Sequence, residues 1–270
     1  MGEGLSSRAL RQARLSIAPK RAHSRGLMIA IAPLPNSWPL LRRACAALAS
    51  GAVSAAFAGA PATVDDTMAQ RMQPCSACHG KEGRPTQQGF FPRIAGKPAG
   101  YLYNQLDNFR SGRRANSTMT YFVEQMSDDY LHEIAGYFAS LDLPYAPPQT
   151  VGAPADEIAL GEKLVRKGDA EHGIPACVQC HGTAMTGVLP AIPGLLGLPR
   201  GYLVEQFGAW RTGQRKALAP DCMAKVATML TSTDITAVAT WLSSQPVSLP
   251  PAAADTLARP LPIACGSVSP

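Results

Sequence analysis

A five-residue motif, Cys-x-x-Cys-His, carries the clearest chemistry in this chain, and it occurs twice. The residues of the two copies are Cys75, Cys78 and His79 in the first and Cys177, Cys180 and His181 in the second. Two thiols at this spacing reach the two vinyl groups of one porphyrin as thioethers, and the adjacent histidine ligates its iron. The duplicated motif therefore predicts two covalently bound c-type haems.

Two other uses of paired cysteines fit less well. Zinc sites also employ Cys-x-x-Cys pairs, but such pairs are commonly about 15–20 residues apart, whereas these two lie roughly 100 residues apart and each is followed by histidine. A thioredoxin-like redox pair expects a surrounding βαβ pattern. Neither motif lies in a strand-rich stretch, so haem attachment is the favoured interpretation.

The basic balance of the chain is confined to its first 58 residues. The formal net charge is +6, from 25 Lys and Arg against 19 Asp and Glu. Residues 1–58 hold eight of the basic residues and one acid, which leaves 17 basic against 18 acidic residues in the remainder. That near-neutral remainder offers no case for a nucleic-acid partner.

Residues 1–58 are predicted to be a secretory leader. Arg42 and Arg43 precede an apolar, small-residue stretch over 44–57, and a small-x-small site ends at Ala58. A cut two residues later would place Pro61 directly after it, and we expect that to be disfavoured. The stretch is too short and too rich in alanine for a convincing membrane span. The mature chain is therefore expected to be exported to the periplasm without a stable membrane anchor.

A repeat extends well beyond the two motifs. Its matched pairs are Pro92 and Pro193, Gly96 and Gly197, Gly100 and Gly201, Tyr101 and Tyr202, Leu102 and Leu203, Gln105 and Gln206, Phe109 and Trp210, Arg110 and Arg211, and Arg114 and Arg215. This is the signature of one tandem duplication rather than of a many-repeat solenoid. We expect domains over 59–145 and 156–246, a Pro-rich linker over 146–155, and a Pro/Ala-rich tail over 247–270.

Each copy is predicted to be all-α. Apolar residues recur at helical spacing after each Gly-Tyr-Leu element. Ser127 is expected to cap one later helix, and Thr231 with Asp234 forms a capping box at the start of its counterpart. Residues 65–72 and 156–167 are expected to form short helices before the motifs. Because each copy has fewer than 100 residues, haem should supply much of its apolar core.

Methionines are the strongest candidates for the second axial ligand of each iron. Met119 and Met223 lie about 40 residues after the motif histidines, and each precedes by seven residues the apolar residue that introduces the last helix. His132 falls inside an amphipathic helix, where a solvated position is expected. His172 lies just before the second motif, on the wrong side of the ring.

The order of these elements resembles the dihaem cytochrome c4 family over roughly residues 62–245. The shared order is CxxCH, Pro-x-x-x-Gly, Gly-Tyr-Leu-x-x-Gln, Arg and Met, twice over. The resemblance implies two tandem class I cytochrome c domains, each wrapped around a covalently attached haem and related by a pseudo-two-fold. It also implies His79 with Met119, and His181 with Met223, as iron ligands. Cys222 and the tail depart from that pattern.

Several roles around the haems stay open at this stage. Pro92 and Pro193 are expected to accept hydrogen bonds from the motif histidines through their backbone carbonyls. Tyr101 and Tyr202 are either haem-edge hydrogen-bonding groups or core aromatics. Four arginines are candidates for pairing haem propionates, with a solvated helix face as the alternative: Arg110, Arg114, Arg211 and Arg215.

Two cysteines remain outside the motifs and the leader. In an oxidising compartment Cys222 and Cys265 suggest a disulfide that ties the tail to the Met223 loop. Free thiols are the alternative, and a third possibility is that Cys222 itself ligates the second iron as a thiolate.

Paired His/Met ligation closes both faces of each iron and favours electron transfer over catalysis. The expected function is a one-electron carrier between respiratory-chain donors, such as a quinol-oxidising complex, and an oxidase or reductase. An enzyme is not expected. The alternatives are a dihaem enzyme, a peroxidase or thiosulfate-oxidising protein, and a haem subunit of a dehydrogenase complex.

Overall fold

The computed structural model of the chain describes residues 65–84, 90–247 and 252–268. The predicted leader over 1–58 lies outside these ranges. Within them the chain forms ten α-helices, one 3-10 turn and a β-hairpin whose two strands have two residues each. The all-α prediction is confirmed for each half of the duplication.

The first half begins with two short helices that lead into the first motif. Its elements are α1 (Met68–Arg71), α2 (Gln73–His79), a 3-10 turn (Lys81–Gly83), α3 (Ala99–Arg110), α4 (Ser117–Val123) and α5 (Asp128–Ala139). Thr67 caps α1 by accepting from the backbone of Gln70. The helix predicted over 65–72 is therefore shorter than expected, because its first residues serve as cap and approach rather than as a turn.

The second half repeats this order, with a longer first helix and an additional β-hairpin. They are α6 (Ala155–Lys167), α7 (Cys177–His181), β1 (Gly187–Val188), β2 (Ile192–Pro193), α8 (Arg200–Arg211), α9 (Cys222–Met229) and α10 (Ser232–Ser244). The β1 and β2 strands pair antiparallel. Alternating periodicity over two residues is too short to be detected in a sequence, so this hairpin was not expected.

The capping predictions for the last helix of each half are confirmed. The Ser127 hydroxyl accepts from the Tyr130 backbone at 3.3 Å. Thr231 and Asp234 exchange hydrogen bonds in a capping box, with the Asp234 amide 3.1 Å from the Thr231 hydroxyl. These caps satisfy backbone donors that a helix start otherwise leaves unpaired.

Each half has its own apolar core. One cluster groups Leu102, Phe109 and Leu131 with their neighbours in the first half, and a larger cluster surrounds Leu203 and Leu242 in the second. The helices α6 and α10 pack so closely in the second half that a Cβ at Gly161 would collide with the carbonyl of Ala237. Glycine is therefore required at this crossing.

The C-terminal tail packs along the second half. The Thr186 hydroxyl donates to the Ala252 carbonyl at 2.8 Å, and Ala254 exchanges backbone hydrogen bonds with Gly187 and Leu189. At its far end the tail reaches the first half, because the Asn104 side chain donates to the Ser267 carbonyl at 3.1 Å. The tail thus contacts both halves of the duplication.

None of the helices in the described ranges has the length and apolar character that a bilayer crossing requires. The domain, linker and tail boundaries remain predictions.

Candidate haem-binding site

One continuous cavity of about 1090 Å³ runs through the described part of the molecule. This volume exceeds the roughly 300–1,000 Å³ that is typical of a small-ligand pocket. Residues from both halves line it, and all eight predicted site residues lie on its wall: Cys75, Cys78, His79, Met119, Cys177, Cys180, His181 and Met223.

Short helices present each Cys-x-x-Cys-His motif on one face. Residues three and four positions apart lie side by side on a helix, so both cysteines and the histidine of a motif share that face. The helices α2 and α7 are followed directly by Gly80 and Gly182. Their φ values of 78° and 81° lie in the left-handed region that favours glycine. The chain therefore turns sharply directly after each histidine.

The motif cysteines remain outside any disulfide. Burial raises the pKa of the Cys75 and Cys180 thiols, and it raises the pKa of Cys177 to about 12. A thioredoxin-like pair requires the opposite shift, because the thiolate is the reactive form. Buried thiols beside a large cavity suit covalent attachment of a group that fills it.

In each motif histidine the two ring nitrogens have different roles. Nδ1 of His79 lies 3.1 Å from the Pro92 carbonyl oxygen, and Nδ1 of His181 lies 2.8 Å from that of Pro193. A carbonyl only accepts, so Nδ1 carries the proton and Nε2 keeps the free lone pair that a metal needs. The prediction for the two prolines is confirmed.

Burial also keeps the two imidazoles neutral. It is the main cause that lowers the pKa of His79 and of His181, against the opposing effect of the proline carbonyls. A neutral imidazole is the form that ligates iron.

Met119 and Met223 occupy the first turns of α4 and α9. Asn116 caps α4 by accepting from the Met119 amide at 3.0 Å, and Asp221 caps α9 by accepting from the Ala224 amide at 3.0 Å. Both methionine side chains are partly buried against their own cores. The same device, a capped short helix, therefore brings a thioether to the cavity in each half.

The structure separates the four candidate arginines into two classes. Arg110 pairs with Asp107 and Asp128, and Arg211 contacts Ser232 at the surface. Arg114 and Arg215 instead meet between the two halves, where their backbones form an antiparallel bridge.

A reciprocal hydrogen-bond network surrounds Arg114 and Arg215. Arg114 donates to Gln206 at 2.7 Å and to Tyr202 at 3.2 Å, while Arg215 donates to Gln105 at 3.0 Å and to Tyr101 at 3.4 Å. Each arginine thus contacts the matched Tyr and Gln of the opposite half. Tyr101 and Tyr202 belong to this interface, which fits the pseudo-two-fold that the resemblance implies.

Two features of this region fit the carboxylates of a haem. No carboxylate of the described residues lies within ion-pair distance of Arg114 or Arg215, although Arg215 is only 6% exposed. The indole Nε1 of Trp210 is buried without a hydrogen-bond partner and its side chain lines the same cavity. A buried arginine requires a negative charge nearby, and a buried indole N–H requires an acceptor. Haem propionates would supply both.

The two other histidines of the described ranges do not line the cavity. His132 is exposed and stacks on Tyr103, with ring centroids 3.8 Å apart. His172 lies 3.2 Å from the Asp169 carboxylate on the surface. Both results agree with the sequence-based expectation.

Cys222 and Cys265 form a disulfide. The proposed link between the tail and the Met223 loop is confirmed, and the alternative of a Cys222 thiolate on iron is wrong for this structure. Sequence analysis missed the tail residues Leu261 and Ile263 and the side chain of Lys97, all of which line the cavity. Leu261 and Ile263 lie outside the repeat, and the counterpart of Lys97 is Leu198, which has a different chemistry, so no repeated pattern pointed to them.

The chain is similar in sequence to several known proteins. The chain is 38% identical over 175 residues to a thiosulfate dehydrogenase electron acceptor of Thiomonas intermedia, covering 64% of this chain and 79% of that protein. It is 33% identical over 171 residues to cytochrome c4 of Pseudomonas aeruginosa, covering 62% of this chain and 82% of that protein. The chain belongs to the dihaem cytochrome c4 family. No protein-family profile matches it.

Solved structures show the same fold. Cytochrome c4 from Pseudomonas stutzeri superposes with a TM-score of 0.57 at 30% identity, over 65% of this chain and 95% of that one. Thiosulfate dehydrogenase TsdBA from Marichromatium purpuratum gives a TM-score of 0.56 at 32% identity, over 64% of this chain and 36% of that one. The prediction of two class I cytochrome c domains is confirmed.

As a member of the cytochrome c4 family, the protein carries two covalent haem c groups and transfers electrons between redox proteins. We refer to the halves from here on as the first and second domains, with the first and second haem.

Proposed function

We propose that this protein is a periplasmic one-electron carrier whose two irons are each ligated by a histidine and a methionine. His79 with Met119 would hold the first, and His181 with Met223 the second, while the four motif cysteines form the thioethers. The supporting observation is that each domain brings a Nδ1-protonated histidine and a methionine to the wall of one cavity.

This ligand set suits electron transfer rather than turnover of a substrate. Haem supplies a one-electron couple when it is bound, and a soft thioether opposite imidazole raises its potential. Two protein ligands leave no open position at the iron, so we propose that the protein is not itself an enzyme. The haem peroxidase and thiosulfate-oxidising alternatives would each require one iron with a different ligand set.

The proposal extends to the donor and the acceptor. A quinol-oxidising complex as donor, and an oxidase or reductase as acceptor, is the arrangement we propose for a carrier of this family. A thiosulfate dehydrogenase is a second candidate donor. The proteins named as its electron acceptors, from Thiomonas intermedia and Stutzerimonas stutzeri, are 38% and 36% identical to this chain, above the 33% of the cytochrome c4 from Pseudomonas aeruginosa.

The axial ligands are tested by replacing one methionine at a time in the mature two-haem protein. We expect Met119→Leu and Met223→Leu each to remove half of the weak red absorption band that reports iron–thioether bonding, because leucine keeps the volume and lacks the sulfur. Met68→Leu and Met229→Leu are the controls, since these methionines do not line the cavity. An unchanged band in either axial variant would contradict the assignment.

The carrier role is tested by mixing the oxidised protein with each reduced candidate donor and following haem reduction by stopped flow. Rapid second-order reduction by one donor, without turnover of thiosulfate or peroxide by the protein alone, is the expected result. Steady turnover of either small molecule would identify an enzyme. Isolation only as part of a larger complex would identify a dehydrogenase subunit.

A further inference from the structure

The loop that accepts a hydrogen bond from His181 is itself hydrogen-bonded at both ends to the first domain. This loop, residues 190–194, carries the Pro193 carbonyl that accepts from His181. At one end the Gly100 amide, at the start of α3, donates to the Pro190 carbonyl at 3.0 Å. At the other end the Lys97 ammonium donates to the Gly194 carbonyl at 2.7 Å.

The contact at Gly100 leaves no room for a side chain. A Cβ there would approach the Pro190 carbonyl oxygen to 2.8 Å and the Ala191 side chain to 3.3 Å. The first domain is therefore in direct contact with the loop, and the Lys97 hydrogen bond is part of a tightly packed surface.

Lys97 is a buried charge without an anionic partner. Its exposed fraction is 3%, it lines the haem cavity, and no carboxylate of the described residues lies within 4 Å of its ammonium. Burial lowers the pKa of Lys97 to about 7, and the charge of Arg93 adds to that effect. A lysine is rarely retained in such a place without a functional or structural reason.

The Lys97 hydrogen bond has no counterpart at the matched position of the second domain. In the repeat, Lys97 corresponds to Leu198, which is buried in the apolar core of the second domain and offers no side-chain donor. The second domain therefore makes no equivalent side-chain hydrogen bond from this position.

We propose that Lys97 is a positioning residue through which the first domain sets the reduction potential of the second haem. The ammonium fixes the peptide next to the His181 hydrogen bond and places a positive charge near the imidazole side of that haem. Oxidised iron carries one more positive charge than reduced iron, so the ammonium favours the reduced state. This proposal rests on the ligation of the second iron by His181, proposed above.

The test is a redox titration of the mature two-haem protein below pH 7, where Lys97 is protonated, followed by NMR so that the two haems are resolved. We expect Lys97→Met to disfavour reduction of the second haem about tenfold, which is ~59 mV for one electron, and to leave the first haem within twofold. Lys97→Arg keeps the charge and should keep the wild-type value. Lys225→Met, which removes a charge from the exposed face of α9, is the matched control.

A fourth variant separates the charge from the tether. Lys97→Gln keeps a donor but not the charge, so it should shift the potential like Lys97→Met while the Nδ1 proton signal of His181 stays in place. An unchanged second haem in Lys97→Met, an equal shift of both haems, or the same shift in Lys225→Met would each overturn the proposal. If His181 did not ligate the second iron, the absorption spectrum of the unmodified protein would already differ from that of two histidine-ligated haems. That failure is therefore distinguished from a failure of the Lys97 proposal.

Discussion

The two domains descend from one repeat, yet the second is enclosed far more completely than the first. In the first domain α1 is a single turn, and Tyr121 and Phe122, on the same helix as Met119, are 75% and 43% exposed. In the second domain the 13-residue α6 crosses α10, and the tail packs beside the cavity. A disulfide also links the tail to the start of α9, the helix that carries Met223. The two halves thus share the same haem-binding residues, but the described residues add more packing around the second.

The difference also has a functional consequence. An exposed aromatic pair next to the axial methionine marks the first haem as the site that a redox partner can approach most closely. Side chains of both domains and of the tail line the cavity beside the second motif. The two sites are therefore expected to differ in stability and potential although their proposed ligands are the same.

Removing one haem at a time should produce the largest effect. We expect Cys75→Ala with Cys78→Ala, and Cys177→Ala with Cys180→Ala, each to halve the haem content per chain. Loss of the first haem should unfold the first domain, because its one-turn α1 cannot replace the missing core. Loss of the second haem should leave the amides of the packed helices α6 and α10 protected against hydrogen exchange.

Haem stoichiometry and amide hydrogen exchange, read domain by domain, provide the measurement. Equal loss of protection in the two domains would show that the additional packing of the second does not make it less dependent on its haem.

Breaking the disulfide should have the next largest effect, and mainly on the second domain. Cys222 and Cys265 are 43 residues apart, for which chain entropy predicts about 4 kcal/mol of stabilisation. Replacing both by serine should lower the free energy of unfolding by up to that amount and weaken thioether ligation of the second haem.

Denaturant unfolding followed at each haem tests this expectation. In the mature protein the motif cysteines are thioethers, so adding a reductant to the wild type should reproduce the serine variant. A first haem that responds as strongly as the second would contradict the assignment of this link to one domain.

The helix crossing should give the smallest of the three effects. Gly161→Ala places a methyl group against the Ala237 carbonyl, which we expect to cost about 1–3 kcal/mol in the second domain. Gly136→Ala on α5 is the control, because that exposed helical glycine has open space around it and does not line the haem cavity, so alanine there should gain up to ~1 kcal/mol. Thermal unfolding of the two variants measures both; equal values would show that the crossing is not tightly packed.

Local patterns were sufficient for much of the site. The two motifs, the repeat register of Met119 and Met223, and the helix caps depend on residues close together in sequence, and the structure brings them to one cavity as expected. The carbonyl partners Pro92 and Pro193 could be predicted for the same reason.

Contacts between the domains could not be predicted in this way. Arg114 and Arg215 are indistinguishable from Arg110 and Arg211 by pattern, because only the docking of the two domains decides which pair becomes buried. The repeat register also concealed Lys97, since its counterpart Leu198 has a different chemistry. The disulfide stayed open for a related reason: its formation depends on where an irregular tail packs.

The disulfide poses a sorting problem during maturation. Six cysteines follow the leader, and six thiols can pair in 15 ways. Only one pair should oxidise, while the other four thiols must stay reduced until porphyrin is attached. A chain that oxidises too early would lose the acceptor thiols for one or both haems. Because Cys265 follows both attachment motifs in the chain, it emerges after them during synthesis, and both motifs are then already available.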